Sequence, residues 1–223
     1  MNTDQYRCIV FDWDGTLIDS IARIVASLKV AGRQVCGIEN TDQSARDVIG
    51  MGLQEALARL LPGESDEIHL AAAEAYKRDF IVDNKVPSPL FEGVLEMLDD
   101  LKTRGFTLAI ATGKSRLGLD NAIAEHDIEH LFTTTRCAGE YPSKPDPEML
   151  LSIMRETGFA AEQTLMIGDS EHDMRMAANA GVGAVAVPHG AHDAEVLLQH
   201  QPLMCLQHIA EISDVLSHNC LTS

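Results

Sequence analysis

The chain has 223 residues, of which 45% are hydrophobic, and its 17 Lys and Arg against 34 Asp and Glu give a formal charge of −17. This balance argues against nucleic acid and against an anionic membrane surface as partners, because binding their phosphates requires clustered Lys and Arg. A small phosphorylated metabolite remains a compatible partner, since one local cluster of positive charge is enough to bind it.

The cysteines and the N-terminal residues indicate a cellular location. The five cysteines are odd in number and include no C-x-x-C pair, which favours free thiols in a reducing compartment over disulfides or a zinc site. Residues 1–5 are polar and lack the pattern of a signal peptide, and no apolar run approaches the ~18 residues that span a bilayer. We therefore expect a cytoplasmic protein, with monomer and homodimer both left open.

The first predicted element is a buried strand at residues 7–11, a short apolar and β-branched run. From residue 19 to about residue 85 the pattern is helical, because apolar residues recur at spacings of three and four. Within this stretch, shorter helices are predicted at residues 42–49, 53–61 and 66–83.

Two prolines at residues 86–89 then indicate a linker, after which strands and helices alternate. Further strands are predicted at residues 106–111, 131–134, 164–167, 183–187 and 203–206, and helices at 93–104, 115–126, 146–157 and 171–180. This alternation predicts an α/β fold, a Rossmann-like parallel sheet core with an inserted all-helical domain. The predicted core comprises residues 1–17 and 88–223, and the predicted insert comprises residues 18–87.

Polar residues follow three of the predicted strands. Asp12 and Asp14 follow the first strand, Thr112 follows the second, and Asp169 and Asp173 follow a later one. Because the carboxyl ends of parallel strands lie at one edge of the sheet, we expect these side chains to meet. Helix capping is the alternative for Thr112 and Asp169, but capping does not require so many acids. Four neighbouring carboxylates repel one another, and Mg²⁺, which prefers oxygen ligands, is the simplest counter-ion.

Lys144 stands between Ser143 and Pro145 in a stiff, proline-containing loop. A solvated surface lysine is the usual case. Here a functional lysine is favoured, because a phosphate dianion would otherwise meet net negative charge at the predicted magnesium site. A fixed ammonium group reduces that repulsion and offers three hydrogen-bond donors.

The ordered set Asp12-x-Asp14-x-Thr16, Thr112, Lys144 and Gly168-Asp169-x-x-x-Asp173 resembles the four motifs of the haloacid dehalogenase superfamily. The helical insert is similar to the cap of its phosphoglycolate phosphatase-like branch, and the resemblance covers essentially the whole chain. It implies a magnesium-dependent phosphatase that hydrolyses a small phosphomonoester, phosphoglycolate-like or a sugar phosphate, through a phosphoaspartyl intermediate.

The resemblance also implies catalytic roles. Asp12 is expected to be the nucleophile, and Asp14 the general acid and then the general base. Thr112 and Lys144 are expected to hold the transferred phosphoryl group, with Gly113 beside them in the substrate site. Thr16 is expected to fix the loop and not to react.

The implied metal site uses the same strand ends. Mg²⁺ is expected on the Asp12 carboxylate, the Asp14 backbone carbonyl and Asp169, with Asp173 as direct or water-mediated support. This arrangement suits phosphoryl transfer, which requires positioning and charge neutralisation more than covalent help.

Four further positions carry weaker expectations. Gly50 and Gly52 lie where the specificity loop of the cap is expected, and either let backbone approach a substrate or merely link two helices. Lys114 is expected to be a solvated lysine, with contact to substrate as the alternative. Trp13 is expected to pack under the loop, with a wall of the pocket as the alternative.

His189 follows a predicted strand, and its role, packing or lining the rim of the site, is left open. His189 and His172 are not expected to be metal ligands, because magnesium prefers oxygen.

Three competing functions are weighed against the phosphatase. A sugar phosphomutase of the same superfamily would retain Asp12, Asp14 and the cap, so the sequence barely separates the two. A phospho-accepting signalling module would lack the large helical insert and would not need Asp14. A dehalogenase is disfavoured, because it needs neither Asp14 nor the metal-binding acids.

Overall fold

The computed structural model describes residues 5–217, so residues 1–4 and Cys220 lie outside the described range. Six parallel strands form one sheet in the order β3-β2-β1-β4-β5-β6. The strands are β1 (Cys8–Phe11), β2 (Thr107–Thr112), β3 (Thr134–Cys137), β4 (Thr164–Gly168), β5 (Gly183–Ala186) and β6 (Met204–Cys205).

Among residues 5–217, ten α-helices surround this sheet or form the insert before β2. They are α1 (Ile21–Cys36), α2 (Asp42–Arg46), α3 (Leu53–Leu60), α4 (Asp66–Arg78), α5 (Val94–Thr103), α6 (Arg116–His126), α7 (Glu148–Thr157), α8 (Glu171–Ala180), α9 (Ala194–Leu198) and α10 (Glu211–Ser217). The predicted α/β class with a parallel sheet is confirmed. None of the helices among residues 5–217 combines the length and apolar character needed to cross a bilayer.

Strand β1 occupies the centre of the sheet and is buried on both faces. Ile9 and Phe11 belong to the hydrophobic cluster on one face, and Cys8 and Val10 belong to the cluster on the other. This alternation is the two-residue period of a strand, and burial of both faces is typical of a parallel sheet. Because β1 lies between β2 and β4, the residues that follow these three strands share one edge.

Helices α1 to α4 build a hydrophobic cluster separate from those that cover the sheet. Ile21, Ile24, Val25 and Leu28 of α1 pack with apolar residues of α2, α3 and α4. The chain enters and leaves this region side by side, because Asp19 N donates a hydrogen bond to Pro89 O at 2.8 Å. The division into residues 1–17 and 88–223 against 18–87 stays a prediction that this packing supports.

The predicted strand at residues 131–134 is wrong. A single 3₁₀ turn, Glu129–Leu131, places Leu131 in the core instead. The strand begins at Thr134, and its polar sequence is buried because Arg136 is paired with Glu156 and donates to Ser152 Oγ at 2.8 Å. An edge strand of this kind lacks the apolar signal on which its prediction depends.

Smaller differences concern helix ends. The predicted helix at 66–83 ends its α-helical part at Arg78 and continues as a π-helical turn, Asp79–Asp83. The predicted helix at 42–49 ends at Arg46. The predicted helix at 146–157 begins at Glu148, after Pro147 at its N-cap.

Candidate active site

Three predicted acids converge at the carboxyl edge of the sheet. Asp12 follows β1, Asp169 follows β4, and Asp173 lies in the first turn of α8. Each is buried, and one carboxylate oxygen from each lies within 4.8 Å of the other two. Together with Lys144, these acids are called the acidic floor below.

Lys144 lies among the acids and is itself buried. Its Nζ is 2.7 Å from Asp173 Oδ1 and 2.9 Å from Asp12 Oδ1. Burial alone would lower the pKa of Lys144, but the charges of Asp12 and Asp173 and the contacts with them raise it. The two carboxylates therefore favour a charged ammonium group in the interior.

Burial raises the pKa of two of these acids, Asp12 and Asp169. Burial raises the pKa of Asp12 to about 7, and the opposing charge of Lys144 does not cancel that effect. Burial, followed by the charges of Asp12 and Asp173, raises the pKa of Asp169 well above its usual range. Three carboxylates around one ammonium group leave negative charge unbalanced once they ionise.

The floor fits a divalent cation. Asp12 Oδ1 is paired with Lys144 by charge, yet it accepts no hydrogen bond with good geometry from the described residues. A buried carboxylate oxygen in this condition is a suitable ligand for Mg²⁺, which takes oxygen donors. The Asp14 side chain lies outside the three-acid group, which leaves its backbone carbonyl as the ligand that the resemblance implies.

Asp169 is fixed by contacts from two sides. Thr16 Oγ1 donates to Asp169 Oδ1 at 2.7 Å, and Ala191 N donates to Oδ2 at 2.7 Å. A Cβ at Gly15 or at Gly190 would come within 2.3 Å or 2.0 Å of Oδ2, so both positions require glycine. The contact with Thr16 is consistent with a residue that fixes the loop.

Asp14 belongs to a different environment, which faces the cap. Ser20 Oγ donates to Asp14 Oδ1 at 2.7 Å, and Lys114 Nζ lies 3.0 and 2.9 Å from the two carboxylate oxygens. The Phe80 ring centroid is 5.0 Å from Lys114 Nζ. Asp14, Ser20, Lys114 and Phe80 are called the cap-facing wall below.

The expectation of a solvated Lys114 is wrong. Its side chain is only 13% exposed, as is that of Asp14. The cause is a long-range one: the aromatic ring that covers the lysine lies 34 residues earlier, in the helical insert.

The glycine loop of the insert closes against the core. Gly52 N donates to Ser143 Oγ at 2.7 Å, next to Lys144. A Cβ at Gly113 would come within 2.4 Å of Met51 O, and one at Gly50 would come within 2.7 Å of Ser170 Oγ. These contacts place Gly50, Gly52 and Gly113 where the insert meets the core.

The structure also gives the burial and contacts of the remaining candidates. Thr112 is buried at the end of β2, and its Oγ1 accepts a hydrogen bond from Lys114 N at 3.2 Å. Trp13 is fully buried in the main core cluster, as expected for a packing residue. The His189 ring contacts the Phe91 ring at a tilt of 47°, with 4.1 Å between centroids, and its Nε2 lies 3.3 Å from Thr16 O.

A family model described as "Haloacid dehalogenase-like hydrolase" matches residues 9–187, which include all four motifs that the sequence analysis identified. The chain belongs to this family. The resemblance inferred from the motifs is confirmed, and with it the hydrolase class.

Relatives of this hydrolase are named as phosphatases. "Phosphoglycolate phosphatase" of Vibrio vulnificus is 29% identical, with 96% of this chain and 98% of the relative covered. "Probable phosphatase IndB" of Dickeya dadantii is 32% identical, with 92% and 90% covered. These relatives bear out the predicted phosphatase.

Solved structures share the fold of this hydrolase. A predicted phosphoglycolate phosphatase from Haemophilus somnus has a TM-score of 0.85 at 24% identity, covering 95% of this chain and 98% of that chain. A haloacid dehalogenase-like family hydrolase from Streptococcus pneumoniae has a TM-score of 0.80 at 22% identity, again covering 95% and 98%.

Sequence reasoning about this hydrolase missed the contacts that hold its acids. The candidate residues are contacted by Ser20, Ser143 and residues 190–191. No spacing pattern in the sequence predicts these contacts. The one available signal was Lys114 itself, a basic residue two positions after Thr112.

Proposed function

We propose that this hydrolase is a magnesium-dependent phosphatase that cleaves a small phosphomonoester through an aspartyl phosphate on Asp12. The observation that carries the proposal is the acidic floor, in which three buried acids lie together at the carboxyl edge of the sheet and two of them, Asp12 and Asp173, pair with one buried ammonium group. Such a site neutralises and positions a phosphoryl group, which is the main requirement of its transfer.

The ligands proposed for Mg²⁺ are the Asp12 carboxylate, the Asp14 backbone carbonyl and Asp169, with Asp173 in support. When bound, the cation would neutralise charge on the acids and on the phosphoryl oxygens. Lys144, Thr112 and Gly113 are proposed to bind the remaining phosphoryl oxygens.

The first half-reaction transfers the phosphoryl group to the protein. A carboxylate oxygen of Asp12 forms a bond to phosphorus while the ester P–O bond breaks. Asp14 donates its proton to the departing oxygen, so the alcohol leaves in neutral form. The result is an aspartyl phosphate on Asp12 and a deprotonated Asp14.

The second half-reaction hydrolyses the aspartyl phosphate. Asp14 accepts a proton from water as the water oxygen bonds to phosphorus, and the bond from phosphorus to Asp12 breaks. Inorganic phosphate leaves, and both aspartates return to their starting states. Gly50 and Gly52 are proposed to help close the cap over this reaction and exclude bulk water.

The names of the relatives support a proposal for the substrate class. Because the relatives in Vibrio vulnificus and Vibrio cholerae are named phosphoglycolate phosphatase, we propose a phosphoglycolate-like ester or another small phosphomonoester. A candidate beta-phosphoglucomutase from Bacteroides vulgatus also superposes, with a TM-score of 0.82 at 23% identity, which is a likeness of fold. Release of free phosphate without an isomerised sugar phosphate would decide against a mutase.

The proposal is tested by hydrolysis of p-nitrophenyl phosphate with and without magnesium. Wild-type protein should release phosphate with Mg²⁺, lose this activity in EDTA, and regain it when Mg²⁺ is restored. Activity that survives complete chelation would contradict the metal requirement. A screen of phosphorylated metabolites under the same conditions would then identify the substrate.

A cytoplasmic location and a monomeric or homodimeric state are proposed as well. Cys8, Cys36, Cys137 and Cys205 are free thiols, which suits a reducing compartment. Light scattering coupled to size exclusion would give the oligomeric state directly.

A further inference from the structure

Asp169 of the acidic floor is held by the loop at residues 190–192, which follows β5. Ala191 N donates to Asp169 Oδ2 at 2.7 Å, and His192 N donates to the backbone carbonyl of Asp169 at 3.2 Å. A Cβ at Gly190 would come within 2.0 Å of the same Oδ2, so the backbone of this loop lies directly against the carboxylate. A shift of the loop would therefore move one of the acids proposed to bind Mg²⁺.

The insert holds this loop from its other side. Arg46 Nη1 donates to Gly190 O at 3.1 Å. Ala191 is only 4% exposed and packs in the hydrophobic cluster of the insert. It thus contacts the floor through its backbone and the insert through its methyl group. The position of the loop therefore depends on the insert as well as on the sheet.

A second contact leads from the insert to α8. His172 Nε2 donates to Asp47 O at 3.0 Å, and His172 immediately precedes Asp173 in the first turn of α8. The His172 side chain is buried, so loss of this hydrogen bond would leave a further polar atom unpaired in the interior. Arg46 and Asp47, called the strap below, therefore contact the neighbours of two acids of the floor.

We propose that Arg46 is a positioning residue and that the strap couples docking of the insert to binding of Mg²⁺. With the strap in place, the loop at residues 190–192 is held against Asp169, which keeps that carboxylate in position for the cation. The coupling is reciprocal, so Asp169 fixed by cation binding holds the loop in turn and favours the docked insert. The inference rests on the proposed function and links two of its requirements, a loaded metal site and the exclusion of bulk water.

The first measurement is the dissociation constant of Mg²⁺ in the absence of substrate, obtained by calorimetric titration. Arg46→Met removes the donor to Gly190 O and should weaken Mg²⁺ binding about fivefold, at the lower end of typical coupling between sites. The direction of the change is informative, because loss of a positive charge would by itself strengthen the binding of a cation.

The matched control is Arg59→Met, which removes the same charge at an exposed position in the last turn of α3. This variant should bind Mg²⁺ at least as tightly as the wild type. Circular dichroism of both variants checks that the fold is retained.

The second measurement is hydrogen exchange, which tests the coupling in the wild-type protein and so does not depend on the folding of a variant. Mg²⁺ should slow the exchange of amides at residues 42–52 of the insert by up to the same factor of about five, because the coupling is reciprocal. Most of this slowing should be lost in Arg46→Met.

Unchanged Mg²⁺ affinity in Arg46→Met, or equal weakening in Arg59→Met, would show that the inference is wrong. Exchange at residues 42–52 of the wild type that does not respond to Mg²⁺ would also overturn it. The proposed function fails in a different way. If the wild type binds no Mg²⁺, or if Asp169→Asn binds it as tightly as the wild type, the proposed metal site is wrong and the inference fails with it.

Discussion

Asp12 of the acidic floor and Asp14 of the cap-facing wall are separated by one residue, yet the two groups are built differently. The floor uses acids from strand ends and α8 together with Lys144 from the loop before α7, and all four side chains are buried. The acids at the strand ends meet because the sheet brings those ends together. The wall joins Asp14 to Lys114 and Ser20 beneath Phe80 of the insert, and it is partly open to solvent. Side chains of the insert belong to the wall, whereas the insert touches the floor only through neighbours of its residues, such as Ser143 beside Lys144.

This difference suggests a division of labour. We propose that the floor recognises what every phosphomonoester shares, a phosphoryl group. We further propose that the wall faces the leaving alcohol and so distinguishes one ester from another. Changes to the floor should therefore affect all substrates alike, whereas changes to the wall should affect them unequally.

The largest expected effect comes from the floor. Asp12→Asn removes the nucleophile and should lower kcat for p-nitrophenyl phosphate by at least about a thousandfold. Circular dichroism should show that the fold is retained, because asparagine has nearly the same volume. Asp99→Asn, at an exposed position of α5, is the matched control. An Asp12→Asn enzyme as active as wild type would end the assignment of the nucleophile.

Closure of the insert is expected to matter next. Gly113→Ala places a methyl group within 2.4 Å of Met51 O and should hold the glycine loop away from the core. A misplacement of this size should lower kcat/KM about 10- to 100-fold. Gly158→Ala, whose Cβ would meet nothing within 4 Å, should lower stability without this loss. Equal activity of the two variants would mean that closure at Gly113 is not required.

Removal of one hydroxyl group from each region tests whether the acidic floor and the cap-facing wall act separately. Thr16→Val removes the hydrogen bond to Asp169 and should weaken Mg²⁺ binding about 10-fold or more, as loss of a contact to a metal ligand does. Ser20→Ala removes the hydrogen bond to Asp14 and should leave the affinity for Mg²⁺ unchanged. Calorimetric titration of both variants with Mg²⁺ checks this. Equal weakening in both would show that floor and wall are not separate.

The smallest effect is on stability in the absence of metal. The folded-state pKa of Asp12 is raised to about 7, above its value in the unfolded chain, so the folded protein binds this proton more tightly. The stabilisation is complete in acid and is lost as the pH rises through 7, at up to about 1.4 kcal/mol per pH unit. In EDTA, wild-type protein should therefore lose more unfolding free energy between pH 5 and pH 8 than Asp12→Asn. Parallel curves for the two proteins would contradict this.

Much of the fold could be read from the sequence because strong local patterns agree with the final packing. The apolar runs of β1, β2 and β4 are buried on both faces, and their strands appear where predicted. Strand β3 could not be located in this way. Its polar residues are satisfied by α7, a contact that the local pattern does not contain.

The two parts of the site also differ in how far the sequence could predict them. The floor was predictable because its acids follow strands, and strand order places their ends together. The pairing of Lys114 with Asp14 was not, because it depends on a ring 34 residues away in the insert that shields the lysine from water. Tertiary contacts of this kind convert an ordinary basic residue into part of a site.

The central claim is that phosphorus passes to Asp12, and direct detection of the aspartyl phosphate tests it best. Asp14→Asn enzyme, which lacks the base for the second half-reaction, would be mixed with Mg²⁺ and p-nitrophenyl phosphate, quenched in acid, and digested for mass spectrometry. We predict the mass of one phosphoryl group on the peptide that contains Asp12, and none in Asp12→Asn. A phosphoryl group on any other residue, or hydrolysis by the wild-type enzyme that proceeds without one on Asp12, would contradict the account.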